Sequence, residues 1–373
     1  MNARALGLLV AVAALSSFAD RTITIPSTYD EGTGKWIGDV TALTNALSTT
    51  QTGDWIRLSK GVYDLTQIAA DGAVLYEKGG TGYGAAILKT GSAYVRLVGD
   101  TDDPKDVILT VRDSAYRILC MNSNYSFVRA ITFEGGNAAS AHISTYGYRG
   151  GGAIMMSGSD TVVTNCIFRN NCAATRGGAV SGPNSLNGKV YDSVFYGNGA
   201  TGSAEGGIVA NQVYLYGCTI TNNVGGGTAA SDWGASVASG CVSTKCLFKD
   251  NVANCCGGVR GGVAVDCRFI GNRNYNPLGN QWGNAGGGAA RDAVLSNCYF
   301  YGNSAYRNGG AIRGGTVVNC QVISNRTYYT GNDDSYGGGI TSATLVEGCL
   351  VVSNYSKGYG GGLSGCTKSV NTT

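Results

Sequence analysis

The chain has 373 residues, 60 of them glycine, with 43% hydrophobic and 14% charged residues and a formal net charge of +3. Glycine at about 16% is more than twice ordinary usage, but the low proline and substantial apolar content exclude both a collagen-like and a disordered chain. No basic run stands behind the small positive charge, so neither nucleic acid nor an anionic membrane surface is indicated as a partner.

Residues 1–19 read as a secretory signal. Arg4 is the lone charge, Leu6 to Leu15 form an apolar core, and Ser17-Phe18-Ala19 is a small-x-small cleavage site. No later stretch is long and apolar enough to span a bilayer as a helix, so an exported chain without a transmembrane helix is expected. Residues 20–52 read as an N-terminal cap, with Val40, Leu43 and Leu47 on one face of a short helix that would cover the open end of a core. From residue 53 short β-prone runs begin, GDWIRLSKGVYDL, then AYVRLVGD, DVILTVRD and YSFVRAITFEGG. Residues 53–136 are therefore expected to form irregular first coils of a stack.

From residue 150 to 373 the stack becomes regular. Gly-Gly-Ala-Ile at 151–154 and 309–312 alternates with Phe-x-x-Asn, as in Phe168/Asn171 and Phe300/Asn303. Successive closing positions stand 21 to 31 residues apart. A period of that size means stacked supersecondary units. The runs are too short for helices, and glycine and asparagine supply the left-handed corners of a chain that turns every few residues. The architecture expected is a single all-β domain, a right-handed single-stranded parallel β-helix over 53–373, with its length variation in loops between the Asn and the next Gly-Gly.

Two interior ladders follow from the repeat. Asn171, Asn198, Asn223, Asn251, Asn272, Asn303, Asn325 and Asn354 recur at one corner, where their amides would stack from coil to coil. Cys166, Cys218, Cys246, Cys267, Cys298, Cys320 and Cys349 recur two residues before the core aromatic position. Rungs about 4.8 Å apart fall inside the Cα window for a disulfide. Stacked side chains pointing the same way disfavour its near-90° torsion, so an unbonded thiol ladder is expected. Cys255-Cys256 lies outside that ladder.

The alternation of Gly-Gly-Ala-Ile/Val with Phe-x-x-Asn over about 60% of the chain resembles the passenger repeats of the chlamydial polymorphic outer-membrane proteins. The resemblance implies a surface-displayed β-helix, in that family an adhesin, whose partner would be a host or matrix glycan or a protein surface. Those proteins end in an outer-membrane barrel, of which this sequence carries no sign. Its last unit, GGGLSGCTKSVNTT, stops before a Phe-x-x-Asn, so a truncated reading frame or a fragment is expected, the alternative being a frayed last coil that a partner covers.

Candidate functional residues are few. A polysaccharide lyase on such a scaffold would want clustered carboxylates for calcium and a cationic base. The densest candidate is Asp100, Asp102, Asp103 and Asp106 with Lys105, followed by Asp333-Asp334; both also fit ordinary corner chemistry. No cofactor is expected unless that reading holds, when it would be calcium. His142, the lone histidine, has no motif around it for hydrolysis. Tyr306, Tyr328, Tyr329, Tyr336, Tyr355 and Tyr359 lie between Asn and Gly-Gly and could form an aromatic stripe for sugar rings or a protein surface. The reading favoured is an adhesin-like binding module, with a polysaccharide-active enzyme and a structural coat component as alternatives.

Overall fold

A computed structural model describes residues 21–70, 86–89, 94–113, 115–138, 150–182, 186, 188–200, 207–225, 236–275, 286–328 and 335–373. Residues 1–19, His142, Tyr329 and Asp333-Asp334 lie outside them. Among the described residues the chain winds through three long sheets, two of thirteen strands and one of eleven. Each strand of two to five residues pairs with its counterpart one coil later, always in parallel except for one hairpin, Ser27–Asp30 with Lys35–Gly38. A parallel return to the same sheet is right-handed by the strong rule for such crossovers, and the body is a right-handed parallel β-helix.

Register fixes the core. In the second sheet Leu109, Phe133, Phe168, Phe195, Ile220, Phe248, Phe269, Phe300 and Val322 are successive partners. Their period-two alternation sends each side chain inward. The Phe rings stack face to face, with centroids 4.7 Å apart for Phe168–Phe195 and for Phe269–Phe300; Ile220 interrupts the stack. The Asn row is a closed hydrogen-bond chain. Each Nδ2 donates to the next Asn Oδ1, as Asn272 does to Asn303 at 3.0 Å, and to a core-row carbonyl of the preceding coil, as Asn272 does to Phe248 at 2.9 Å. Each Oδ1 also accepts the backbone N–H of the previous Asn, so the buried amides leave nothing unpaired. The positive φ at this corner falls one residue earlier, at Asn170, Asn222 and Asp250; the Asn itself braces the turn.

The Gly-Gly pair is explained at Gly309 and Gly310. Gly309 has φ +58°, and a Cβ on Gly310 would lie 2.0 Å from the Gly338 carbonyl of the next coil. Length variation falls where expected. After the Asn corner a two-residue strand, Val252–Ala253 in one coil and Val224–Gly225 in another, precedes the third long sheet, which the chain re-enters at Cys256 in the first and at Ser236 in the second.

The solenoid starts earlier than residue 53. Thr22–Ile25 already pairs in parallel with Trp55–Leu58, and the 27–38 hairpin enters the second sheet. The capping helix, Val40–Ser48, follows. Asp39 caps it by accepting the Ala42 N–H at 2.8 Å, and Leu43, Ala46 and Leu47 are buried against the first coil's core. Among the described residues no helix is long and apolar enough to cross a membrane.

Candidate functional site

The acidic cluster does not converge. Asp100 faces Arg57 at 3.6 Å, and Asp102 accepts from Arg129 at 2.6 Å. Asp103 caps its own turn by accepting the Lys105 backbone N–H. Asp106 is bound by Lys60 at 2.7 Å and by the Thr101 hydroxyl at 2.9 Å. Each carboxylate is thus tied to a partner of its own, because turn residues of neighbouring coils alternate in sign. Among the described residues no group of three or more His, Cys, Asp or Glu is placed to hold a metal ion.

Lys105 belongs instead to a different feature, a groove of about 700 Å³ on the outer face of the second sheet. Five successive strands build it, joined through the pairs Ile37–Val62, Val62–Ile108, Thr110–Glu134 and Glu134–Arg169. At about 4.8 Å per rung its length is roughly 20 Å. Val62 and Ile108 form an apolar floor, and Trp36, 44% exposed, stands at one end beside Lys35. Five cations line it, Lys35, Lys60, Lys105, Arg112 and Arg169, against two carboxylates, Asp106 and Glu134. Lys60 is committed to Asp106 and Arg169 to Glu134. The Lys60 ammonium holds the Asp106 carboxyl below its ordinary range, helped by Thr101, and is itself raised. Arg112 has only a loose contact with Asp64, at 3.7 Å. The surplus positive charge therefore sits on Lys35, Lys105 and Arg112, in a trough with an apolar floor.

The tyrosine stripe divides in two. Tyr306 and Tyr328 meet edge to face, Arg273 lies over the Tyr328 ring at 4.7 Å, and the Tyr328 hydroxyl donates to the Asn274 carbonyl at 2.8 Å. Those rings pack the flank. Tyr336 and Tyr359 stack at 5.3 Å and remain open to solvent, as does Tyr355 at 61% exposure. The seven ladder cysteines are buried, and none of the thirteen is in a disulfide; of the other six, Cys172 and Cys366 are only half-buried. Burial pushes the Cys166 thiol up to about 12. The Cys298 and Cys320 thiols are also raised to about 12, first by hydrogen bonding to the preceding ladder cysteine.

No family model matches the chain, and no curated protein matches it. Among solved structures it is similar to an alginate lyase of family PL6, AlyGC, at 13% identity and TM-score 0.38. That match covers 95% of this chain and 53% of the lyase, so the chain spans about half the length of that enzyme. A mannuronic-acid-specific family 6 lyase from human gut microbiota matches at 11% and 0.40, covering 90% of this chain and 76% of the other. The pectate lyase Pel9A matches at 15% and 0.38, covering 84% and 72%. At these similarities no substrate passes to this chain from its neighbours. Its own residues decide.

Of the groove residues, sequence reasoning singled out Lys105 and Asp106 only. Lys35, Trp36, Lys60, Arg112, Glu134 and Arg169 come from five coils whose spacing is irregular.

Proposed function

We propose that the protein is an exported, adhesin-like β-helix module that holds an anionic polysaccharide along the groove of the second sheet. The observation that carries this is the charge of the trough. Two cations without a carboxylate partner among the described residues, Lys35 and Lys105, and a third, Arg112, held only by Asp64 at 3.7 Å, line an apolar floor with an exposed indole at its end. A low-dielectric floor strengthens the field of the cations above it. An aromatic face beside them offers a platform to a sugar ring. A polymer with one carboxylate per sugar would meet successive cations along the roughly 20 Å trough. The repeat resemblance adds surface display, with a host or matrix glycan as the partner.

The test is calorimetric titration with a soluble polyuronate and with a neutral glucan of similar length. Binding of the polyuronate alone, weakening as salt is raised, is expected. Lys105→Glu combined with Arg112→Glu should weaken it at least ten-fold. Equal affinity for the neutral glucan, or no effect of the double substitution, would remove the groove from the account. The same mixtures followed for unsaturated-product absorbance test the enzyme alternative: steady turnover would move the protein to the polysaccharide-active class.

A further inference from the structure

The coil from Asn251 to Asp266 departs from the repeat at one place. Where six coils put a left-handed glycine, at Gly151, Gly177, Gly287, Gly309, Gly337 and Gly360, this one has Cys256, preceded by Cys255. Gly287 and Gly309 hold the equivalent place, three residues before Ala290 and Ile312, and those two residues continue the register row of Val259. The ladder is irregular here, as it is one coil earlier. Ser236 pairs with Cys256 but Ala238 with Val259, so an extra residue is accommodated between them. Such bulges are retained features that re-aim side chains.

The surroundings of these two sulfurs differ from those of the thiol ladder. Ladder sulfurs donate to backbone carbonyls, as Cys267 does to Val265 and Cys320 to Val318. Acceptors of that kind favour the neutral thiol. Cys255 instead receives an N–H from the Arg291 guanidinium at 3.5 Å, and Arg291 stacks in register on Arg260, a second cation beside the pair. The Cys256 sulfur also lies 3.1 Å from the Val259 carbonyl. Donation from the neighbouring Cys256 thiol, then the charges of Arg291 and Arg260, hold Cys255 well below the ordinary thiol range, while burial pushes Cys256 up. One sulfur is thus set up as a thiolate and its chain neighbour as a thiol.

We propose that Cys255 and Cys256 form a peroxide-responsive pair, with Cys255 the attacking sulfur and Cys256 the resolving one. The Cys255 thiolate attacks one oxygen of hydrogen peroxide. An S–O bond forms, the O–O bond breaks, and the departing hydroxide takes a proton from solvent to become water. The Cys256 sulfur then attacks the sulfenic sulfur. The S–S bond forms, the S–O bond breaks, and hydroxide leaves with the Cys256 proton as a second water. Overall two thiols lose two electrons to one peroxide. Both sulfurs are buried, so a small uncharged oxidant suits the site better than a bulky disulfide. Adjacent Cα atoms stand about 3.8 Å apart, short of the usual disulfide window, so the closed ring is strained and readily reduced again.

The experiment is stoichiometric hydrogen peroxide on the full chain, followed by alkylation in denaturant and peptide mapping. The seven ladder cysteines of the same molecule serve as the internal control. Cys255–Cys256 should be oxidised at least ten-fold faster than any of them, and a mild thiol should reverse it. In Cys256→Ser, dimedone should trap Cys255 as the sulfenic acid, and Arg291→Gln should slow that trapping several-fold. Oxidation spread evenly over the thirteen cysteines would overturn the proposal, as would a dimedone-silent Cys255 in a folded Cys256→Ser chain. If that variant does not fold, the wild-type map alone decides.

Discussion

The N-terminal coils, up to residue 138, and the repeat coils after residue 150 solve the same stacking problem by different means. In the first, coil is tied to coil by ion pairs at the turns: Arg21–Asp54, Arg57–Asp100, Lys60–Asp106 and Arg129–Asp102. In the second, neutral ladders of asparagine and cysteine run through the interior; two of the pairs there, Lys249–Asp250 and Arg291–Asp292, join chain neighbours, and Lys189–Asp160 joins successive coils. A ladder demands the same residue at every rung and leaves little freedom for chemistry. Turns held by individual pairs can each carry a different residue, and most of the charged groove lies there, with Arg169 of the first repeat coil at its far end. Uniformity gives stiffness in one half, and variety gives a site in the other.

Breaking a middle rung is the most severe test of this contrast. Asn272→Ala would leave the Asn251 backbone N–H and one Asn251 amide proton without partners and take one bond from the Phe248 carbonyl. Each unmade bond costs about 1–3 kcal/mol, so a loss of roughly 3–5 kcal/mol is expected in urea denaturation. Asn354→Ala, at the half-buried end of the row, should cost markedly less. Equal losses would mean that the ladder does not act as a chain.

The groove supplies the next effect. Trp36→Ala should weaken polyuronate retention several-fold without altering its salt dependence, because an exposed indole contributes contact area and no charge. Lys35→Ala should instead flatten the salt dependence. If the two variants behave alike, the groove reads charge only.

Acid and alkali should then separate the halves. The Asp106 carboxyl is depressed by Lys60 and Thr101. Burial would raise Asp54, but the Arg21 guanidinium and the Gln51 N–H outweigh it and leave it lowered. A depressed carboxyl contributes stability that is complete above its unfolded value of about 4 and is lost as pH falls through the folded value. The ladder thiols move the other way. Cys166, Cys267, Cys298 and Cys320 are raised to about 12. Their contribution is complete below the unfolded value of about 8.5 and disappears as pH rises towards about 12. Fluorescence of Trp55, with the other three tryptophans replaced by Phe, should report loosening first in acid. Thiolate absorbance should report the ladder in alkali. Simultaneous loss of both signals at either extreme would show one cooperative body in which the distinction has no energetic weight.

Legibility in the sequence followed the same division. The Asn and Cys rows could be read because each rung repeats one chemical requirement, and repetition is visible without coordinates. The cap helix was visible in Val40, Leu43 and Leu47, but the strand at 22–25 was not, because TITI alone has no partner in sequence to show that it pairs with WIRL at 55–58. The groove was mostly hidden for the same reason. Lys35, Lys60, Lys105, Arg112 and Arg169 meet only through the register of five strands separated by unequal loops. Asp100, Asp102 and Asp103 looked like a cluster because they are close along the chain, whereas their partners Arg57 and Arg129 lie in other coils.

The mildest change tests whether the thiol row needs sulfur at all. Ser193 already occupies one rung between Cys166 and Cys218. Its hydroxyl accepts the Cys166 N–H at 3.1 Å and donates to the Tyr191 carbonyl at 2.7 Å. Cys267 makes the same two bonds, accepting from the Cys246 N–H at 3.4 Å and donating to Val265 at 3.3 Å. Cys267→Ser therefore keeps the hydrogen-bond pattern and gives up only the larger apolar surface of sulfur. A loss below about 1 kcal/mol is expected, against the larger effect of leaving the Cys246 N–H unpaired in Cys267→Ala. Should the serine variant be as damaging as the alanine, packing of the sulfur itself, rather than its bonding, holds the repeat coils together.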